Sequence, residues 1–104
     1  MSSFLLVFCS CADEQAALRL AKALVEERLA ACVNVLPRAQ SVYRWEGEIK
    51  LESEYLLLIK TTEERFSSLR DRITEMHSYE VPEVLAIPVW GGSDKYLAWI
   101  QASV

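Results

Sequence analysis

The first third of this chain contains two apolar runs and, between them, a segment in which apolar residues recur at helical spacing. Positions 4–9 and 31–36 are almost entirely apolar, which is typical of buried strands. Asp13 is a residue type that favours a helix N-cap, and apolar residues then recur at helical spacing through about position 28: Ala16, Ala17, Leu20, Ala21 and Leu24. Pro37 interrupts the second strand, so we expect an edge position or a bulge there.

The next segment predicts a long β-hairpin. Strand pattern resumes at 41–45, the chain turns at Glu46-Gly47, and a partner strand returns over 48–60. At about 3.3 Å per residue that strand spans roughly 43 Å, whereas a compact domain of this length has a radius of gyration of only ~13 Å. The hairpin tip therefore projects beyond its own core, and we expect a second subunit to cover its apolar stripe near Tyr43 and Trp45.

The rest of the chain predicts another helix, a strand and a short terminal helix. Thr62 is placed to cap the helix, whose buried face carries Phe66, Leu69, Ile73 and Met76. A strand follows over 83–90, and Ser93 caps the last helix. The order β-α-β-β-α-β predicts an α+β, ferredoxin-like fold in a single domain, 1–104.

This topology brings chemically useful side chains to one rim of the sheet. Right-handed crossovers make the first two strands parallel and place the third antiparallel to both. The second helix then ends, at His77, beside the end of the first strand, where Cys9 and Cys11 lie. Glu83, at the start of the last strand, belongs to the same rim. Thiols, an imidazole and a carboxylate are therefore predicted to lie together.

Composition and charge exclude several classes of protein. A net charge of −4 without a basic run argues against nucleic-acid binding. No apolar run approaches the ~20 residues of a membrane helix, and no basic segment precedes positions 4–9, so we expect neither a membrane span nor a secretion signal. Three cysteines, Cys9, Cys11 and Cys32, cannot all pair within the chain. Free thiols and a cytoplasmic location are therefore expected.

The candidate chemistry is metal binding. Two thiols and the only histidine, His77, suit copper or zinc better than magnesium or calcium. The alternative remains open that the cysteines are small buried apolar residues and that His77 only ends a helix. Tyr79, Glu80 and Glu83 are possible acid or base groups, but no nucleophile with an adjacent base accompanies them. We therefore expect no enzymatic activity.

Five segments carry a family resemblance that spans essentially the whole chain. They are Arg28-Leu29-Ala30-Ala31-Cys32-Val33-Asn34, Ser41-Val42-Tyr43-Arg44-Trp45-Glu46-Gly47, Glu54-Tyr55-Leu56-Leu57-Leu58-Ile59-Lys60-Thr61-Thr62, His77-Ser78-Tyr79-Glu80-Val81-Pro82-Glu83 and Tyr96-Leu97-Ala98-Trp99-Ile100. In order and spacing the chain resembles the CutA divalent-ion tolerance proteins. The resemblance implies a homotrimer similar to the PII signalling proteins, with Tyr43 and Trp45 at the interface, and a link to copper and other divalent cations without enzymatic activity.

The resemblance also implies site residues. Cys9 and His77 stand where the proposed copper ligands of the bacterial family stand, and Met76 stands where some members have a second histidine. A second hypothesis follows from the likeness to PII proteins, namely a binding module that takes a small anionic ligand in clefts between subunits. The residues expected in such a cleft are Glu54, Lys60, Tyr79 and Glu83.

Overall fold

The sheet has four strands in the order β2-β3-β1-β4, and every neighbouring pair is antiparallel. The structure, a computed structural model, describes residues 3–104. Its elements are β1 (Phe4–Cys11), α1 (Glu14–Glu26), β2 (Cys32–Trp45), β3 (Glu48–Thr62), a 3-10 turn (Glu63–Arg65), α2 (Phe66–Met76), β4 (Leu85–Pro88) and α3 (Asp94–Ser103). This order and topology confirm the predicted ferredoxin-like α+β fold with an added C-terminal helix.

The hydrophobic core lies between one face of the sheet and helices α1 and α2. Side chains alternate along a strand, so every second residue of β1 points to the helices. Val7 and Cys9 of β1 and Ile59 of β3 are completely buried on this face. Leu24 of α1 and Leu69 of α2 pack against them and are also completely buried. Cys9 is therefore part of the hydrophobic core.

A matched pair of leucines on α1 measures what this core contributes. Leu24 is 0% exposed, whereas Leu18 on the outer face of the same helix is 43% exposed. We expect Leu24→Ala to lower the free energy of unfolding by about 2–5 kcal/mol, because it removes buried methyl groups and leaves a cavity. Leu18→Ala should change it by less than about 0.5 kcal/mol. Denaturant unfolding of both variants checks the prediction, and equal losses would contradict the position of the core.

Pro37 marks a bulge in an edge strand, as the sequence predicts. β2 forms the edge of the sheet, and its register with β3 shifts between Leu36 and Ala39. Pro37 has no backbone N–H to donate to a neighbouring strand, and Arg38 adopts a positive φ of 64°. β2 continues through the bulge to Trp45 as one strand, whereas the sequence pattern suggested two separate segments.

The long hairpin projects from the core, also as predicted. β2 and β3 turn at Glu46 and Gly47, whose φ angles of 51° and 81° are those of a two-residue hairpin turn. The molecule is 44 Å long but only 25 and 23 Å across. Val42 and Leu51, which pair near the tip, are each 67% exposed. The apolar stripe of the hairpin is therefore uncovered within one chain.

Two local predictions were wrong. Thr62 does not cap α2: it starts a 3-10 turn without a side-chain capping bond, and its buried Oγ1 has no partner in the described residues. The helix begins four residues later at Phe66, after this tighter turn. The last strand is shorter than 83–90 because it pairs only with β1, from Leu5 to Phe8, along one of its edges.

The helices are all short. The longest, α1, has 13 residues, which at about 1.5 Å per residue is roughly 20 Å and less than the ~30 Å of a bilayer core. Within residues 3–104, no helix combines the length and the apolar character that crossing a membrane requires.

Candidate functional site

Two thiols and an imidazole meet where β1 and α2 end. The ligand atoms of Cys9, Cys11 and His77 all lie within 4.8 Å of one another. The cysteines are two residues apart on β1 and share its helix-facing side, while His77 directly follows the last residue of α2. The backbone of His77 is already extended, and its N–H donates to the carbonyl of Ile73 at 2.9 Å. The predicted rim is therefore formed by the two helix-side thiols and the helix-end histidine.

Hydrogen bonds fix the orientation and the tautomer of His77. Its Nε2 lies 2.6 Å from the carbonyl oxygen of Ser10, which can only accept, so Nε2 carries a proton. The backbone N–H of Tyr79 donates to Nδ1 at 3.1 Å, so Nδ1 carries none. The ring is thus neutral, with Nε2 also 3.9 Å from Sγ of Cys11. A cation that binds at Nε2 must displace the proton shared with Ser10.

The two thiols have opposite acidities. A hydrogen bond to Cys11, together with burial, raises the pKa of the Cys9 thiol far above its usual value. The same hydrogen bond lowers the pKa of Cys11, and the nearby cation of Arg19 favours this shift. Cys11 is therefore the group that ionises first, and it is the natural first ligand for a metal because metals bind the thiolate.

A small cavity opens beside Cys11 and His77. Its volume is about 20 Å³, which exceeds the ~10–15 Å³ that a single water molecule requires. Met76, the residue that the family resemblance singles out as a departure, lines this cavity together with Arg19. The cavity is therefore lined by a methionine, a residue type with a soft sulfur donor, next to Cys11 and His77.

The cluster fits a soft transition-metal ion. A metal bound by sulfur at about 2.3 Å and nitrogen at about 2.0 Å holds neighbouring ligand atoms roughly 3.5–4 Å apart. The three donor atoms here are within 4.8 Å before any ion binds, so they need to close by about 1 Å or less. Two thiols and an imidazole are donors typical of copper and zinc sites, and not of magnesium or calcium sites.

A much larger cleft lies on the opposite face of the sheet. Its volume is about 540 Å³, and its lining residues are Ser10, Ser41, Val42, Tyr43, Trp45, Glu52, Glu54, Tyr79, Glu80, Val81 and Glu83. The phenol of Tyr79 donates to Oε2 of Glu54 at 2.6 Å. Burial and this bond raise the pKa of Tyr79 well above its usual value. A hydrogen bond to Glu52 likewise raises the pKa of Tyr43.

The structure gathers most, but not all, of the residues predicted for a cleft. Glu54, Tyr79 and Glu83 line it together. Lys60 does not: it lies six residues further along β3, where it bonds Asn34 and comes within 3.9 Å of Sγ of Cys32. Every second residue of a strand shares a face, and successive side chains on one face of β3 are about 6.6 Å apart. Lys60 therefore lies on the same face as Glu54 but three such steps away from it. Lys60 lies outside this cleft of the single chain, and its place in a cleft between subunits stays a prediction.

Other lining residues were missed by the sequence analysis, although signals for them existed. Tyr43 and Trp45 were predicted at a subunit interface but line this cleft as well. Glu52 shares its face of β3 with Glu54 through the period of two, so the alternation already pointed to it. Ser10 lies between Cys9 and Cys11 on β1, so the same alternation places its side chain on the face opposite the thiols.

The fold and the cluster together define a class of protein, a ferredoxin-like domain with a cysteine and histidine site at the end of its first strand. A family model described as CutA1 divalent ion tolerance protein matches residues 5–103. The chain belongs to this family.

Individual relatives agree with this assignment. The divalent-cation tolerance protein CutA of Thermus thermophilus is 49% identical over 86% of this chain and 86% of its own length. Protein CutA of Homo sapiens is 45% identical over 90% of this chain. The chain spans about half the length of the human and Arabidopsis thaliana relatives, 52% and 54% respectively.

Solved structures give the same result. The Thermus thermophilus divalent cation tolerance protein (Cut A1) superposes with a TM-score of 0.95 at 44% identity, covering 97% of this chain and 98% of that one. CutA1 from Oryza sativa gives a TM-score of 0.96 at 41% identity, covering 98% of this chain and 94% of the other. The long hairpin and the terminal helix are thus part of the shared fold.

Proposed function

We propose that this protein binds a soft transition-metal ion, copper above all, at Cys9, Cys11 and His77, and that it contributes in this way to tolerance of divalent cations. The observation that carries the proposal is the convergence of two thiols and an imidazole to within 4.8 Å. Thiolate and imidazole donors favour copper and zinc, and copper forms the more stable complexes of the two. Divalent-cation tolerance is also what the name of the Thermus thermophilus relative states for that protein.

The proposed mode of action is binding without catalysis, in the cytoplasm. Two cysteines deep in the core, with exposed fractions of 0% and 2%, hold an ion away from water and from other reactants. A reducing compartment keeps both thiols available as ligands. A metal that binds here displaces protons from the thiols and from Nε2 of His77, so the same groups that hold the ion compete with it for protons.

We also propose that the protein acts as a homotrimer. The face of the sheet opposite the helices carries Leu36, Leu85 and Ile87, which are 41%, 62% and 49% exposed. These apolar side chains, and those at the tip of the projecting hairpin, are left in water by the single chain, and exposed apolar patches are typical of subunit contacts. Identical copies are the natural cover for such a surface, and the resemblance to the CutA and PII proteins supports three of them.

Titration with a series of ions tests the metal proposal. We expect the reduced protein to bind Cu(I) and, more weakly, Zn(II), at one ion per chain, and to bind Mg(II) with no measurable heat. His77→Gln should weaken Cu(I) binding by about tenfold to 100-fold, because the amide is a far poorer donor than imidazole. Calorimetry, with a competing chelator for Cu(I), measures both. Equal affinities of the wild type and the His77→Gln variant would remove this site.

A further inference from the structure

We propose that metal binding at His77 acts as a switch that loosens the segment 78–83, because a metal-bound imidazole cannot keep the hydrogen bond that fixes Tyr79. This inference rests on the proposed metal site and names a structural consequence of filling it. The segment follows the histidine of the metal cluster and leads to β4. Its Tyr79 lines the cleft on the open face of the sheet, so the segment connects the metal centre with that face.

Both ring nitrogens of His77 are engaged in hydrogen bonds. Nε2 donates to the carbonyl oxygen of Ser10 at 2.6 Å, and Nδ1 accepts from the backbone N–H of Tyr79 at 3.1 Å. A neutral imidazole has one N–H and one free lone pair, so these two bonds use its whole capacity. Nε2 is also the nitrogen nearest the thiols, 3.9 Å from Sγ of Cys11, and is therefore the atom that meets a metal in the cluster.

Coordination through Nε2 reverses this hydrogen-bond pattern. The lone pair of Nε2 is then taken by the metal, so the single N–H of the neutral ring stands on Nδ1. Metal-binding histidines ordinarily donate this second N–H to a carbonyl, a carboxylate or water. Here Nδ1 faces the N–H of Tyr79, and two donors cannot bond each other. Coordination through Nδ1 would use the lone pair that Tyr79 needs, so Tyr79 loses its acceptor in either case.

Few other hydrogen bonds hold the segment. Within residues 3–104, the positions 78–83 take part in no backbone–backbone hydrogen bond, and their remaining hydrogen bonds all belong to Tyr79. The Tyr79 ring lies 4.6 Å from the His77 ring, and its phenol donates to Oε2 of Glu54 at 2.6 Å. Segments with so few backbone hydrogen bonds open at low cost in free energy. Loss of the amide bond therefore frees the ring that contacts Glu54, and the state of the metal site reaches β3.

Nuclear magnetic resonance of the full chain, with and without one equivalent of Cu(I), tests the switch. The ¹⁵N signals of the His77 ring should show the proton on Nε2 without the metal and on Nδ1 with it. The Tyr79 amide should exchange with solvent about threefold to tenfold faster in the loaded protein, which is the effect of losing one hydrogen bond. The reference is the Glu27 amide, which bonds the carbonyl of Ala23 at the far end of α1 and should not change.

Two substitutions of His77 separate its ring nitrogens in the metal-free protein. The side chain of His77→Asn places an acceptor near the position of Nδ1, so the Tyr79 amide should exchange as in the wild type. His77→Gln reaches the position of Nε2 instead and leaves Tyr79 without an acceptor, so this amide should exchange as fast as in the loaded wild type. In both variants the Glu27 amide reports whether the chain has folded.

The outcomes distinguish this switch from the metal site on which it rests. If Cu(I) binds in competition with a chelator but the Tyr79 amide and the His77 ring signals stay unchanged, the switch is overturned and the metal site stands. Equal exchange of the Tyr79 amide in the two His77 variants overturns the switch as well. If Cu(I) does not bind at all, the metal proposal fails and the switch fails with it.

Discussion

Replacement of both Cys9 and Cys11 by serine is expected to lower the affinity for Cu(I) by at least about 100-fold, which corresponds to about 2.7 kcal/mol or more of binding free energy. Both sulfur donors lie within 4.8 Å of His77, and the serine hydroxyl is a hard donor that copper(I) binds poorly.

Cys32 supplies the matched control for this experiment. It is also a free cysteine of the same chain, but it lies on β2 next to Lys60 and outside the cluster. Cys32→Ser should therefore bind Cu(I) with the affinity of the wild type. A chromophoric Cu(I) chelator in competition measures the affinity of each variant. The account is contradicted if Cys32→Ser loses as much affinity as the double variant, since the binding would then reflect the number of thiols and not the site.

A charge on the open face of the sheet is expected to dissociate the proposed trimer. Ile87 lies on β4, pairs with Leu6 of β1, and is 49% exposed in the single chain. In a trimer that buries this face, Ile87→Glu places three carboxylates in an apolar interface without partners, which costs several kcal/mol for each copy. Light scattering should show the mass fall from about three times the chain mass to the 11.8 kDa of one chain.

Leu18→Glu is the control for this change. Leu18 is similar to Ile87 in size and, at 43%, in exposure, but it lies on the outer face of α1, away from the open face of the sheet. This variant should keep the mass of the wild type. Circular dichroism of both variants separates dissociation from unfolding. A wild-type mass of one chain, or an Ile87→Glu variant that remains an oligomer, would disprove the proposed interface.

Most of the fold was predictable because the local patterns were strong. The apolar runs, the helical spacing after Asp13 and the Glu46-Gly47 turn each allow one interpretation, and the structure confirms them. Pro37 also predicted the edge strand and its bulge, because a proline has no backbone N–H to donate to a neighbouring strand. The start of α2 was not predictable from Thr62, because a 3-10 turn over Glu63–Arg65 stands between the buried Thr62 and the helix.

The site was predictable in its topology but not in its detail. Right-handed crossovers alone brought His77 to the end of β1, beside the two thiols. The tautomer of the ring and the opposite acidities of the cysteines depend on contacts of about 3–4 Å, which no sequence pattern encodes. Lys60 shares a face of β3 with Glu54 but lies outside the cleft of the single chain, so its place between subunits stays a prediction.

X-ray absorption at the copper edge, measured on the protein loaded with one equivalent of Cu(I), tests the metal proposal most directly. The account predicts two sulfur scatterers at about 2.3 Å and one nitrogen scatterer at about 2.0 Å, from Cys9, Cys11 and His77. His77→Gln should remove the nitrogen shell and keep both sulfurs. A first shell of oxygen and nitrogen alone would contradict the account, because it would place copper on exposed carboxylates and not among the thiols of the core.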